Sequence, residues 1–183
     1  MSGPQIILIT GERQTGKSTL CQSVTRRLRE TGVQLSGLLT SRTGPHDLEV
    51  TEIHTGDRYT LTLPFGERAG ILLAHFNMNP QALTRGVRAL RSSFPTQVFV
   101  LDELGPLELK LGRGWVEALD LLQKPTYRVA VVVIRPELLL SVIKRLSAAW
   151  YTIVYVTPEN RNSLPDELYA QVLSLTGLQQ DLK

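Results

Sequence analysis

The chain has 183 residues, 42% of them hydrophobic and 20% charged, which suits a single folded unit with a full core and argues against disorder. Its net charge of +3 is spread without a Lys/Arg block, so nucleic-acid binding is not expected. One cysteine, Cys21, excludes an intrachain disulfide; with no basic-then-apolar leader and no apolar run long enough to span a bilayer, the expected location is the cytoplasm, away from membranes.

Residues 5–10 (QIILIT) form a short apolar run that stops at Gly11 and reads as a strand buried on both faces. Residues 18–30 carry Leu20, Val24 and Leu28 on one helical stripe, ended by Thr31-Gly32. A second strand is expected over 33–41. Residues 48–54 and 58–63 then alternate and are rich in β-branched side chains, with Thr55-Gly56-Asp57 between them as a turn signal. They predict an inserted antiparallel β-hairpin. A short strand over 69–74 and a helix over 80–91, with Pro80 in its first turn, follow.

The α/β rhythm then resumes. Strands are expected at 97–101, 127–134 and 151–156, and helices at 115–122, 136–146 and about 165–175. Ser163 and Asp166 have the spacing of a capping box for the last helix. Alternating strands and helices, with runs such as VAVVVI, predict an α/β fold: a mainly parallel sheet with helices on both faces, in one domain over 1–183.

Gly11, Glu12, Arg13, Gln14, Thr15, Gly16, Lys17 and Ser18 fit G-x-x-x-x-G-K-[ST] at every fixed position. Glycines let the backbone curl so that successive N–H groups point at one centre, and the helix that starts after them adds its positive end. These residues, with Thr19, are the expected nucleotide-binding loop. Lys17 supplies a point charge to the β- and γ-phosphates, and the Ser18 hydroxyl is a hard oxygen ligand for Mg²⁺. The apolar strand before the loop and the amphipathic helix after it agree with this reading.

Asp102 and Glu103 end the apolar run VFVLDE. Ligands of open α/β sheets sit beyond the carboxyl ends of the strands, so Asp102 and Lys17 are expected to face one crevice. Asp102 is assigned to Mg²⁺, through water, and Glu103 to the attacking water as base or orienter. Arg135, directly after the strand at 127–134, is the first choice for a positive charge on the γ-phosphate, ahead of Arg42. Asn160 and Arg161 follow the last strand and are candidates for contact with the base, set against an ordinary turn. Glu108 is read as orienting a loop or the magnesium waters, or else as a solvated carboxylate. His46, His54 and His75 share no ligand spacing with Cys21, which is read as a small packed residue.

The phosphate loop, the GLLT of residues 37–40, the DELGPLE of residues 102–108 and the PENR of residues 158–161 together resemble the THEP-type nucleoside-triphosphatases, also called cancer-related nucleoside triphosphatases. The resemblance implies a RecA-like variation of the P-loop fold and Mg²⁺-dependent hydrolysis of several nucleoside triphosphates with weak base preference. Two departures stand out: Leu38 where the family usually has Phe, and Ser41-Arg42-Thr43-Gly44 where an acidic–basic string is common. A P-loop kinase and a nucleotide-gated switch, with responsive loops at 41–47 and 63–70, are the alternative functions. Arg85, Arg88 and Arg91 share one expected helix and are the nearest thing to a kinase's arginine-bearing lid.

Overall fold

The computed structural model describes residues 4–124, 126–146 and 150–177. Among the described residues, nine strands lie at Gln5–Thr10 (β1), Leu35–Arg42 (β2), Leu48–Glu52 (β3), Arg58–Thr60 (β4), Ile71–Leu73 (β5), Phe76–Met78 (β6), Val98–Leu104 (β7), Val129–Ile134 (β8) and Trp150–Tyr155 (β9). The α-helices among these residues lie at Lys17–Glu30 (α1), Pro80–Ser92 (α2), Pro106–Leu109 (α3), Glu117–Gln123 (α4), Leu139–Arg145 (α5) and Leu164–Thr176 (α6).

Seven strands form one sheet in the order β4-β3-β2-β7-β8-β1-β9. The five strands from β2 to β9 run parallel, and β3 and β4 extend the β2 edge antiparallel, as the expected hairpin. β8 stands between the phosphate-loop strand β1 and the acidic strand β7, which is the RecA-like arrangement. Period-2 alternation divides the core. Ile6, Leu8, Phe99, Leu101, Ala130 and Val132 pack on one face with residues of α2, α4 and α5. Ile7, Ile9, Val98, Val100, Val131 and Val133 pack on the other, against α1 and α6. Cys21 is buried in this second layer as a packed core residue.

Several local expectations are corrected. The strand expected at 97–101 continues to Leu104, because the ladder to β8 slips after Leu101 and resumes at Leu104 opposite Ile134; Asp102 and Glu103 lie inside that slip, and the peptide between them is cis. The strand expected at 69–74 shrinks to β5 and gains an unforeseen partner, β6, in a separate two-stranded sheet. The helix expected from 136 opens as a 3₁₀ turn over Pro136–Leu138 before α5. The capping box at Ser163 does not form: Ser163 itself has helical dihedrals, and its hydroxyl donates back to the Asn160 carbonyl at 3.1 Å. The chain is already coiled there, since the Arg161 and Leu164 amides bond the Thr157 and Asn160 carbonyls.

Arg85 of α2 fixes the hairpin, donating to Glu52 at 2.7 Å and Asp57 at 2.9 Å and lying over the Tyr59 ring. Arg91 pairs with Glu117 of α4. Two of the three arginines considered for a lid are thus occupied in structural ion pairs.

Candidate active site

The loop between β1 and α1 wraps a closed turn. A side chain at Gly11 (φ +146°) would place its Cβ 2.3 Å from the Val156 carbonyl oxygen, so the loop and the end of β9 meet as bare backbone. Gln14 and Gly16 take positive φ, and the Leu20 amide starts the helix on the Gly16 carbonyl at 2.8 Å. Thr15 turns its hydroxyl back to the Glu12 carbonyl at 3.0 Å. Lys17 Nζ donates to the carbonyls of Gly11 (2.7 Å) and Glu12 (2.5 Å), which holds the ammonium across the mouth of the loop. The first turn of α1 has no acidic residue of its own, so its positive end is open to an anion. Burial lowers the Lys17 pKa, while Glu103, Asp102 and Glu12 pull it upward.

Asp102 pairs in register with Leu39 across β2 and is 2% exposed. Among the described residues its Oδ2 has no hydrogen-bond partner. Burial pushes the carboxyl up to about 7; the Ser18 hydroxyl opposes this, Glu103 adds to it, and Lys17 opposes it. An enclosed carboxylate with an orphan oxygen beside a serine hydroxyl is a hard-oxygen donor set, the type Mg²⁺ takes. The residues therefore fit the expected ion.

Glu103 faces Arg135, whose Nε and Nη2 both reach Oε1, at 2.8 and 2.7 Å. β7 and β8 are neighbours, so their carboxyl ends deliver these two side chains to one place. Gly11 to Gln14, Gly16 to Thr19, Glu103 and Arg135 line a crevice of about 990 Å³, with Arg42 on its wall, enough for a nucleotide. Arg42 also bonds the carbonyls of Gly44 and Pro45 and lies over Phe76.

Asn160 and Arg161 fall outside these walls. Asn160 closes the turn after β9, accepting from the Thr157 amide at 2.8 Å and donating to the Tyr155 carbonyl at 2.8 Å. Glu108 is 5% exposed and takes the amides of Gly105 (3.0 Å) and Trp115 (3.1 Å), so it orients the loop and is not a solvated carboxylate. Burial raises its pKa, and those amide bonds oppose the rise.

Other wall residues were not anticipated: His75, Phe76 and Lys110 on the crevice, and Thr40 beside Asp102. Phe76 lies on a three-residue strand too short to show a period. Thr40 belongs to the GLLT string and so had a usable signal. The two loops singled out at 41–47 and 63–70 meet each other, with the His46 and Phe65 rings 4.8 Å apart.

A family model described as NTPase matches residues 6–169. The nucleoside-triphosphatase THEP1 of Methanopyrus kandleri is 27% identical over 181 residues, covering 93% of this chain and 96% of that protein. The protein of the same name from Hyperthermus butylicus is 28% identical over 177 residues, covering 91% and 90%. Among solved structures, THEP1 from Aquifex aeolicus superposes with a TM-score of 0.64 at 22% identity, over 91% of this chain and 98% of that one, a likeness of fold.

Proposed function

The chain belongs to the NTPase family, and from that membership and the geometry of its site we propose that it hydrolyses nucleoside triphosphates to diphosphate and phosphate, with Mg²⁺ and with weak base preference. The observation that carries the reading is the buried Asp102 beside Ser18, whose Oδ2 has no hydrogen-bond partner among the described residues, next to the Glu103–Arg135 pair.

The backbone N–H groups of the loop and the start of α1 receive the phosphate oxygens, and Lys17 adds charge. Ser18 and Asp102 would hold Mg²⁺, which neutralises charge on the β- and γ-phosphates when bound. Glu103 takes a proton from the attacking water as the O–Pγ bond forms and the bond from Pγ to the bridging oxygen breaks. Arg135 holds Glu103 by Oε1, which leaves Oε2 to meet the water, and its guanidinium would offset the negative charge that grows on the phosphoryl group. Asn160 keeps its side chain on backbone groups of the turn after β9.

Phosphate release from ATP, GTP, CTP and UTP, with Mg²⁺ and with a chelator, tests this. Comparable turnover on all four, lost with the chelator, is expected. Turnover confined to one base, or unaffected by the chelator, would overturn the specificity or the metal dependence respectively.

A further inference from the structure

We propose that the chamber adjoining the two carboxylates is an acceptor site, and that the protein also passes the γ-phosphoryl group to a primary alcohol with a compact apolar body. The proposal rests on the hydrolytic reading, because it uses the same donor site. A cavity of about 210 Å³ opens from the phosphate crevice. The two spaces share Ser18, Arg42, Glu103 and Arg135, with Leu73, Phe76 and Pro106 beside them. Beyond that common wall Thr40, Asp102 and Glu108 add polar groups, and the rest of the lining is mainly apolar, faced by Leu48, Leu61, Met78, Leu83, Leu107 and Trp115.

Hydrolysis does not call for such a space. One water occupies about 30 Å³ of liquid, whereas a dry cavity of about 150 Å³ takes benzene. The size points to an alcohol with a branched aliphatic chain or a single ring, roughly six to nine heavy atoms. The walls come largely from elements added to the parallel sheet: Leu48 from β3, Leu61 just past β4, Met78 from β6 and Leu83 from α2. Glu108 pins the opposite wall through the Gly105 and Trp115 amides. This apolar part of the lining contributes nothing to a water nucleophile but favours an apolar body.

That body would leave its hydroxyl at the polar mouth, where Glu103 lies. Arg135 takes Glu103 Oε1, and among the described residues no hydrogen bond falls on Oε2. The alcohol oxygen attacks Pγ and forms the new O–Pγ bond. The bond from Pγ to the bridging oxygen breaks, and the nucleoside diphosphate leaves with that electron pair. The hydroxyl proton goes to Glu103. The products are a phosphate monoester and a nucleoside diphosphate, with no redox change.

The test incubates the protein with Mg²⁺–ATP and either 3-methylbutan-1-ol or benzyl alcohol, and follows alkyl phosphate and inorganic phosphate by ³¹P NMR. Alkyl phosphate that saturates with alcohol concentration is expected. Leu83→Trp and Leu61→Phe, which fill the chamber from two sides, should cut transfer at least about tenfold and leave phosphate release within about twofold. Retained phosphate release shows that a variant is folded, and either variant that meets this condition decides the point. Phosphate release with no alkyl phosphate from either alcohol would overturn the acceptor site and leave hydrolysis standing. Loss of both products in the wild type would overturn both readings. Transfer undiminished in the filled variants would place it outside the chamber and also overturn the proposal.

Discussion

Replacing Asp102 by Asn should stabilise the metal-free protein at neutral pH while abolishing turnover. Asp102 is 2% exposed, and burial raises its carboxyl from 3.8 to about 7. Between those values the native state retains a proton that the unfolded state has released, so this group makes stability fall as pH rises. The penalty is absent below the unfolded value and complete above about 7. At 1.36 kcal/mol for each tenfold change in acidity, it reaches about 4 kcal/mol. Asn is nearly isosteric and stays neutral. Urea unfolding in chelator should therefore give wild type and Asp102→Asn similar stabilities near pH 4, and the variant should gain about 4 kcal/mol by about pH 8. For a chain of this size that is a melting-temperature gap on the order of 10 °C. Adding Mg²⁺ and nucleotide should then raise the wild type and leave the variant little changed. A stability difference that does not vary with pH would refute the reasoning, because it would mean that Asp102 is hydrated and not enclosed.

Glu108→Ala should destabilise the protein by about 3 kcal/mol in urea unfolding, since the buried Gly105 and Trp115 amides lose their acceptor. Gly37→Ala should cost more than about 2 kcal/mol in the same assay: at φ +119° its Cβ would lie 1.8 Å from the Val100 carbonyl oxygen, in backbone that β7 holds fixed. Arg135→Ala should lower kcat about a hundredfold or more with a much smaller change in KM, measured by steady-state phosphate release. An equal rise in KM with kcat intact would assign Arg135 to binding instead.

The phosphate loop was legible because three signals coincide within residues 5–30: an apolar run, a fixed glycine–lysine–serine spacing and a switch to helical period. The fold class followed from the same alternation farther along. What escaped was short or non-local. The four residues of α3 and the three of β6 are too few to display a period. Ser163 and Asp166 have the spacing of a capping box, yet a turn running back to Thr157 had already placed Ser163 in helical conformation. Arg135 could be picked from its place after a strand, but its pairing with Glu103 depends on β7 and β8 being neighbours, which is a property of strand order. Glu108 looked like one carboxylate of an acidic string. Its anchoring role depends on Trp115, seven residues on, returning to it through a loop.

Whether Glu103 activates the attacking nucleophile in a site built to hold Mg²⁺–nucleotide is decided by single-turnover hydrolysis of pre-bound ATP by Glu103→Gln. The amide keeps the size of the side chain but takes up no proton. Nucleotide affinity should stay within a few-fold of wild type while phosphate formation slows by about a hundredfold or more. A variant that binds ATP and hydrolyses it at the wild-type rate would remove Glu103 from the chemistry.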